Sequence, residues 1–86
     1  MKFNDITMKP SKIVYKHIMR SGYEEVQGVR DILHVAMQGQ DICFWYIHDN
    51  NAHVRTFKLV GTGFAFDGTY IGTVQDGPFV WHLVEI

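Results

Sequence analysis

Histidines, acids, one cysteine and a lone strand arginine are the groups in this sequence whose chemistry reaches beyond packing. The five histidines, His17, His34, His48, His53 and His82, invite a metal reading. Zinc needs three or four ligands converging, often as close-spaced pairs. Only His48 and His53 flank a common turn, and one cysteine supplies no pair, so these residues read as strand histidines bonded to neighbours or solvent. No metal and no other cofactor is expected. Nucleophilic catalysis needs a hydroxyl or thiol beside a base and an orienting group. Ser11 and Ser21 fall outside the core strands, and Cys43 sits in the apolar run Ile42-Cys43-Phe44-Trp45-Tyr46-Ile47, where it reads as a small buried hydrophobe. Asp31, Asp41, Asp49, Asp67 and Asp76 occupy turns, where local backbone bonding accounts for them. No catalytic residue is assigned, and the expectation is a protein that is not an enzyme.

Two features suit binding instead. Arg55 is the only arginine within a clear strand, and Phe57 follows it on the same face. A guanidinium clamps a phosphate with two bonds or stacks on a base. Pairing with a nearby acid is the open alternative. The run Gly61-Thr62-Gly63 ends a strand and lets backbone approach a ligand, or it is simply a bend. Trp45, Tyr70 and Trp81 offer flat surfaces for a base, or fill the core.

The elements that must position these groups are strands. Lys12 to Arg20 alternates at period two, and Ser21-Gly22 breaks it. Tyr23 to Arg30 is ambiguous, a short edge strand interrupted by Gly28. Asp31 to Met37 and Ile42 to His48 form a hairpin through Gln38-Gly39-Gln40-Asp41. His53 to Val60 follows, with His53, Arg55, Phe57 and Leu59 on one face. Thr69 to Gln75 and Phe79 to Glu85 flank Asp76-Gly77, the strongest turn signal in the chain. The prediction is one all-β domain over 1–86. It is a small antiparallel sandwich or partly open barrel of six to seven short strands, with no long helix and a loosely ordered lead-in at 1–11.

Bulk properties narrow the partners. The chain has 86 residues, 47% hydrophobic and 14% aromatic, enough for a real core. Its net charge is −1 and it has no basic block, which disfavours duplex nucleic acid. There is no apolar stretch of membrane-spanning length and no signal-peptide core, so a cytoplasmic protein is expected. Strands such as Ile42 to Ile47 and Phe79 to Leu83 are apolar on both faces. A second face that needs covering points to another subunit.

The second half contains Arg55-Thr56-Phe57-Lys58-Leu59-Val60-Gly61-Thr62-Gly63, then Tyr70-Ile71-Gly72-Thr73-Val74-Gln75, then Phe79-Val80-Trp81-His82-Leu83-Val84-Glu85. On these residues it resembles a family of short bacteriophage proteins. The pattern is R-x-F-x-x-x-G-T-G, Y-I-G-T-x-Q, V-W-H-x-x-E, and it spans about residues 31–86. The stretch between Gly63 and Tyr70 is shorter here than in many members. The family is similar to the phage anti-CBASS sponge proteins, which counter cyclic-oligonucleotide immunity. That resemblance implies a homo-oligomer, such as a tetramer, in the host cytoplasm. It implies that a cyclic dinucleotide such as cyclic GMP–AMP is held uncut between subunits. With that resemblance, the expected binding residues are Arg55, Phe57, Gly61, Thr62, Gly63, Tyr70, Trp81 and His82. The alternatives are a protein–protein inhibitor of a host defence component and an accessory phage structural protein.

Overall fold

β-Branched and aromatic residues at period two favour extended chain, and the chain follows them closely. A computed structural model describes residues 11–86, so most of the expected lead-in lies outside the described residues. Seven strands are formed: β1 (Ile13–Met19), β2 (Tyr23–Val26), β3 (Val29–Gln38), β4 (Asp41–His48), β5 (Arg55–Gly61), β6 (Thr69–Asp76) and β7 (Phe79–Glu85). The described residues contain no helix.

The strands form two antiparallel sheets, ordered β1-β4-β3 and β2-β5-β7-β6. They do not close on one another, so the sandwich is the observed form of the predicted all-β domain and the partly open barrel is not. The ambiguous stretch from Tyr23 to Arg30 divides at Gly28. Its φ of 82° turns the chain out of β2 and, one residue later, into β3 in the other sheet. The strand expected from His53 begins at Arg55. The expected β3–β4 hairpin forms, and so does the β6–β7 hairpin, whose loop is Gly77-Pro78. Gly77 has φ 57°, the positive angle that a two-residue hairpin asks of its first loop residue.

The core lies between the sheets. The first sheet contributes Met19, Val29, Ile42, Phe44 and Tyr46, and the second contributes Val26, Phe57, Val74 and Leu83. Phe44 and Phe57 are both fully buried, with ring centroids 4.9 Å apart, and they join the two layers. Each such ring contributes about 2–3 kcal/mol by burial alone. Cys43 is fully buried too, on the opposite face of β4 from Phe44, and burial pushes its thiol pKa up.

The two sheets come closest where β3 meets β6. A Cβ on Gly72 would sit 3.1 Å from a Val35 methyl, so glycine sets how near the layers approach. Gly68 is tighter still. It has φ 130°, and a Cβ there would lie 2.1 Å from the Glu85 carbonyl oxygen. Backbone cannot yield as a flexible side chain does. Gly68→Ala is therefore expected to cost about 3 kcal/mol of stability, read from the denaturant midpoint. An unchanged midpoint would contradict this approach of β7 to the start of β6.

Candidate functional site

Arg55 opens β5 at the end of the second sheet, where its side chain can reach both layers. Its Nε and Nη2 donate to Glu85 Oε2 and Oε1 at 2.8 and 2.7 Å, a two-pronged pairing with β7. Its Nη1 donates to the Val29 and Arg30 carbonyls at 3.1 and 2.9 Å, tying in β3 of the other sheet. The guanidinium lies 5.6 Å from the Phe57 ring centroid, as the shared face predicts. Four donor contacts thus occupy a group with five N–H bonds. The hydrogen bond from Arg55, opposed by burial, holds the Glu85 carboxyl below its usual range. The same bond raises Arg55. Of the two readings open for Arg55, the acid pairing is the one formed.

Beside this clip, both facing strands break register. β3 shifts between Val29 and Asp31 and again between Ile32 and His34, and β6 shifts between Tyr70 and Gly72. A bulge bends its strand and re-aims side chains. Here bulges on both sides open a cavity of about 590 Å³ along the seam. Arg30, His34, Arg55, Tyr70 and Thr73 are among its lining residues, although the His34 ring turns to Trp45 on the outer face of the first sheet, 5.9 Å between centroids. Arg30 bonds only the exposed carboxylate of Asp31, at 3.0 Å, and is the less committed of the two guanidinium groups.

A second hollow, about 440 Å³, lies at the other end of β5 and is lined by Gly61, Thr62, Phe64, Phe79 and Trp81 among others. Phe64 and Phe79 are 75% and 60% exposed, so their rings are available to a partner. A row of hydrogen bonds runs between the hollows. Thr62 Oγ1 and Thr73 Oγ1 each lie 2.8 Å from a ring nitrogen of His82, Nε2 and Nδ1 respectively, and the Tyr70 hydroxyl meets Thr73 Oγ1.

The expected residues therefore separate into groups. Arg55 and Tyr70 line the seam cavity. Gly61, Thr62 and Trp81 line the aromatic hollow, with Gly63 next along the chain at φ 94°. His82 joins the two groups. Phe57 belongs to neither, because it is fully buried in the core and has no surface for a ligand. Of the other flat rings, Trp45 lies on the outer face of the first sheet, opposite Lys16 and His34. Arg30, His34, Phe64, Thr73 and Phe79 were not singled out from the sequence. A signal existed for Thr73. Counting back from the Gly77-Pro78 loop pairs Asp76 with Phe79 and, three steps on, Thr73 with His82.

Two further histidines, His17 and His48, have local polar partners. His17 Nε2 lies 2.6 Å from Glu24 Oε1, and His48 Nε2 lies 2.7 Å from Asn50 Oδ1. Burial acts to raise Glu24, but bonds from His17 and from the Ser21 and Arg20 amides outweigh it and leave the carboxyl lowered. Among the described residues, no three His, Cys, Asp or Glu side chains group closely enough to hold a metal ion.

Residues 10–86 match a family model described as a domain of unknown function (DUF7352). No curated protein and no solved structure matches the chain.

The clip predicts how stability responds to pH. A carboxyl lowered on folding stabilises fully above its unfolded value, here 4.5, and that contribution is lost as pH falls through the lowered folded value. Acid unfolding should therefore steepen below 4.5, and Glu85→Gln should flatten that limb. Arg55→Ala, which strands a carboxylate three-quarters removed from water, is expected to cost about 3 kcal/mol near neutral pH. Thermal melts from pH 3 to 7 test both; a profile identical to wild type would mean that the clip contributes nothing.

Proposed function

We propose that this chain, which belongs to the DUF7352 family, is a non-enzymatic phage protein of the host cytoplasm. In this reading it binds a cyclic dinucleotide such as cyclic GMP–AMP, holds it intact and so withholds an immune signal. The observation that carries the reading is the seam cavity. Its volume of about 590 Å³ falls within the range of small-ligand sites. Arg30 and Arg55 bring two guanidinium groups to it, and β3, β5 and β6 all contribute to its lining. The motif resemblance supports the ligand class, since Arg55 and the Tyr70-Ile71-Gly72-Thr73 run that carry it line this same space.

Each part of such a ligand has a counterpart. Arg30 meets a phosphate, as a charge-assisted donor whose present partner is solvent-exposed. Backbone groups left unpaired at the β3 and β6 bulges bond sugar oxygens. The half-exposed Tyr70 ring offers a face to a base. Arg55 contributes field and shape more than bonds, because its donors are already spoken for. The cavity is open to solvent on one side, and a second subunit closing it would complete the enclosure. Sequestration needs affinity and abundance and leaves the nucleotide chemically unchanged.

A protein partner, such as a host defence component, is the second reading. It is favoured by the exposed rings of Phe64 and Phe79 at the aromatic hollow. The two readings use different residues and separate by mutation.

Calorimetry with cyclic GMP–AMP at micromolar protein is expected to show saturable heat, and mass spectrometry of the heat-released nucleotide an unaltered mass. Arg30→Ala should weaken binding about tenfold or more with an unchanged melting temperature, as expected for loss of a charged hydrogen bond of roughly 1.5–3 kcal/mol. Phe64→Ser should leave nucleotide affinity alone. Absence of heat from every cyclic nucleotide tried would remove the proposal.

A further inference from the structure

Each sheet edge presents a row of unpaired backbone donors and acceptors, and proteins guard such edges by shortness, bulges, charge or cover. Three of the four edges here are guarded. β2 is only four residues long. β3 and β6 are both bulged and lie against each other at Val35 and Gly72. β1 is different. Its seven residues pair with β4 in unbroken register, and its other edge has no partner among the described residues. Ile13, Val14 and Tyr15 are 51%, 54% and 44% exposed along it. The lysine that would ordinarily guard such an edge does not face outward. Lys16 Nζ reaches back across β4 to donate to Gln38 of β3.

We infer that the β1 edge is an interface between two copies of this chain, which pair β1 with β1 antiparallel about a two-fold axis at Tyr15. The inference is independent of the nucleotide reading. An antiparallel pair of identical strands is self-complementary, so one edge serves both partners. Charge selects the register. Centring the axis on Lys16 sets Lys16 against itself, and centring it on Val14 sets Lys12 against Lys16. Like charges directly opposite are destabilising. Centring on His17 leaves Ile13 and Val14 facing residues beyond the strand. Centring on Tyr15 places Val14 opposite the partner's Lys16 and Ile13 opposite the partner's His17. It also covers all three exposed apolar residues and keeps both copies' core faces on one side of a six-stranded sheet.

Sedimentation over a micromolar concentration range should give a species of twice the 10.0 kDa chain mass. Val14→Lys should weaken self-association at least tenfold with an unchanged circular dichroism spectrum. If that variant fails to fold, Ile13→Lys is the equivalent test. Tyr15→Cys should cross-link to itself through a short bifunctional maleimide, since Cys43 is fully buried and does not compete. Hydrogen exchange should show consecutive β1 amides protected, and Val14→Lys should release alternate ones. A 10.0 kDa species at every concentration would overturn the inference. Within that outcome, full β1 protection would mean that another part of the chain covers the edge. A doubled mass that survives Val14→Lys and gives no cross-link at position 15 would overturn it as well, by placing the contact on another surface.

Discussion

The guanidinium of Arg55 is where the two sheets are held to one another at the open end of the sandwich. Apolar burial around Phe44 and Phe57 brings the layers together, but burial has no direction and tolerates sliding. Four directed bonds from one planar group, two to a β7 carboxylate and two to β3 carbonyls, do not. A half-buried ion pair recovers little net free energy, because both charges lose water. What it supplies here is position. The β3 carbonyls that it captures belong to Val29 and Arg30, the residues at which that strand departs from its register with β4.

That departure produces the cavity. In a sandwich whose facing strands keep strict register, side chains interdigitate and leave little space. Here β3 carries two irregularities and β6 carries one, and they face each other across the seam. Val35 against Gly72 closes the layers to van der Waals distance beyond the bulges, and Arg55 fixes them on the near side. Between these points the space is bounded by β3 and β6 themselves.

Strand identity was legible in the sequence because period-two alternation and turn chemistry agree along most of the chain. The stretch Phe79 to Glu85 became β7 without adjustment, and Asp76-Gly77 marked its hairpin correctly. The stretch from Tyr23 to Arg30 was ambiguous for a physical reason. Gly28 sends β2 and β3 to different sheets, and local pattern carries no information about which sheet a strand joins. The site was legible only in part. Six of the eight expected residues gather along the two hollows and the row between them, with Arg55 at the seam as a clip. Phe57 showed that sharing a face with Arg55 meant pointing inward. Arg30 and His34 stayed hidden because bulges reset the alternation that would have placed them, whereas Thr73 followed from counting back along a regular hairpin.

The row of hydrogen bonds from Tyr70 to Thr62 links the β6 surface to the aromatic hollow. A neutral imidazole has one ring nitrogen that donates and one that accepts. When Thr73 donates to His82 Nδ1, Nε2 carries the proton and must donate to Thr62 Oγ1, which leaves the Thr62 proton free for another acceptor. When Thr73 instead donates to the Tyr70 oxygen, its lone pairs are offered to Nδ1–H. His82 then takes the other tautomer, and Thr62 must donate inward to Nε2. The direction in which the row runs thus decides how the Thr62 hydroxyl is presented beside Phe64 and Phe79, with no strand moving. Protonated His82 donates at both nitrogens and removes that alternation, so the dependence belongs to the neutral imidazole alone.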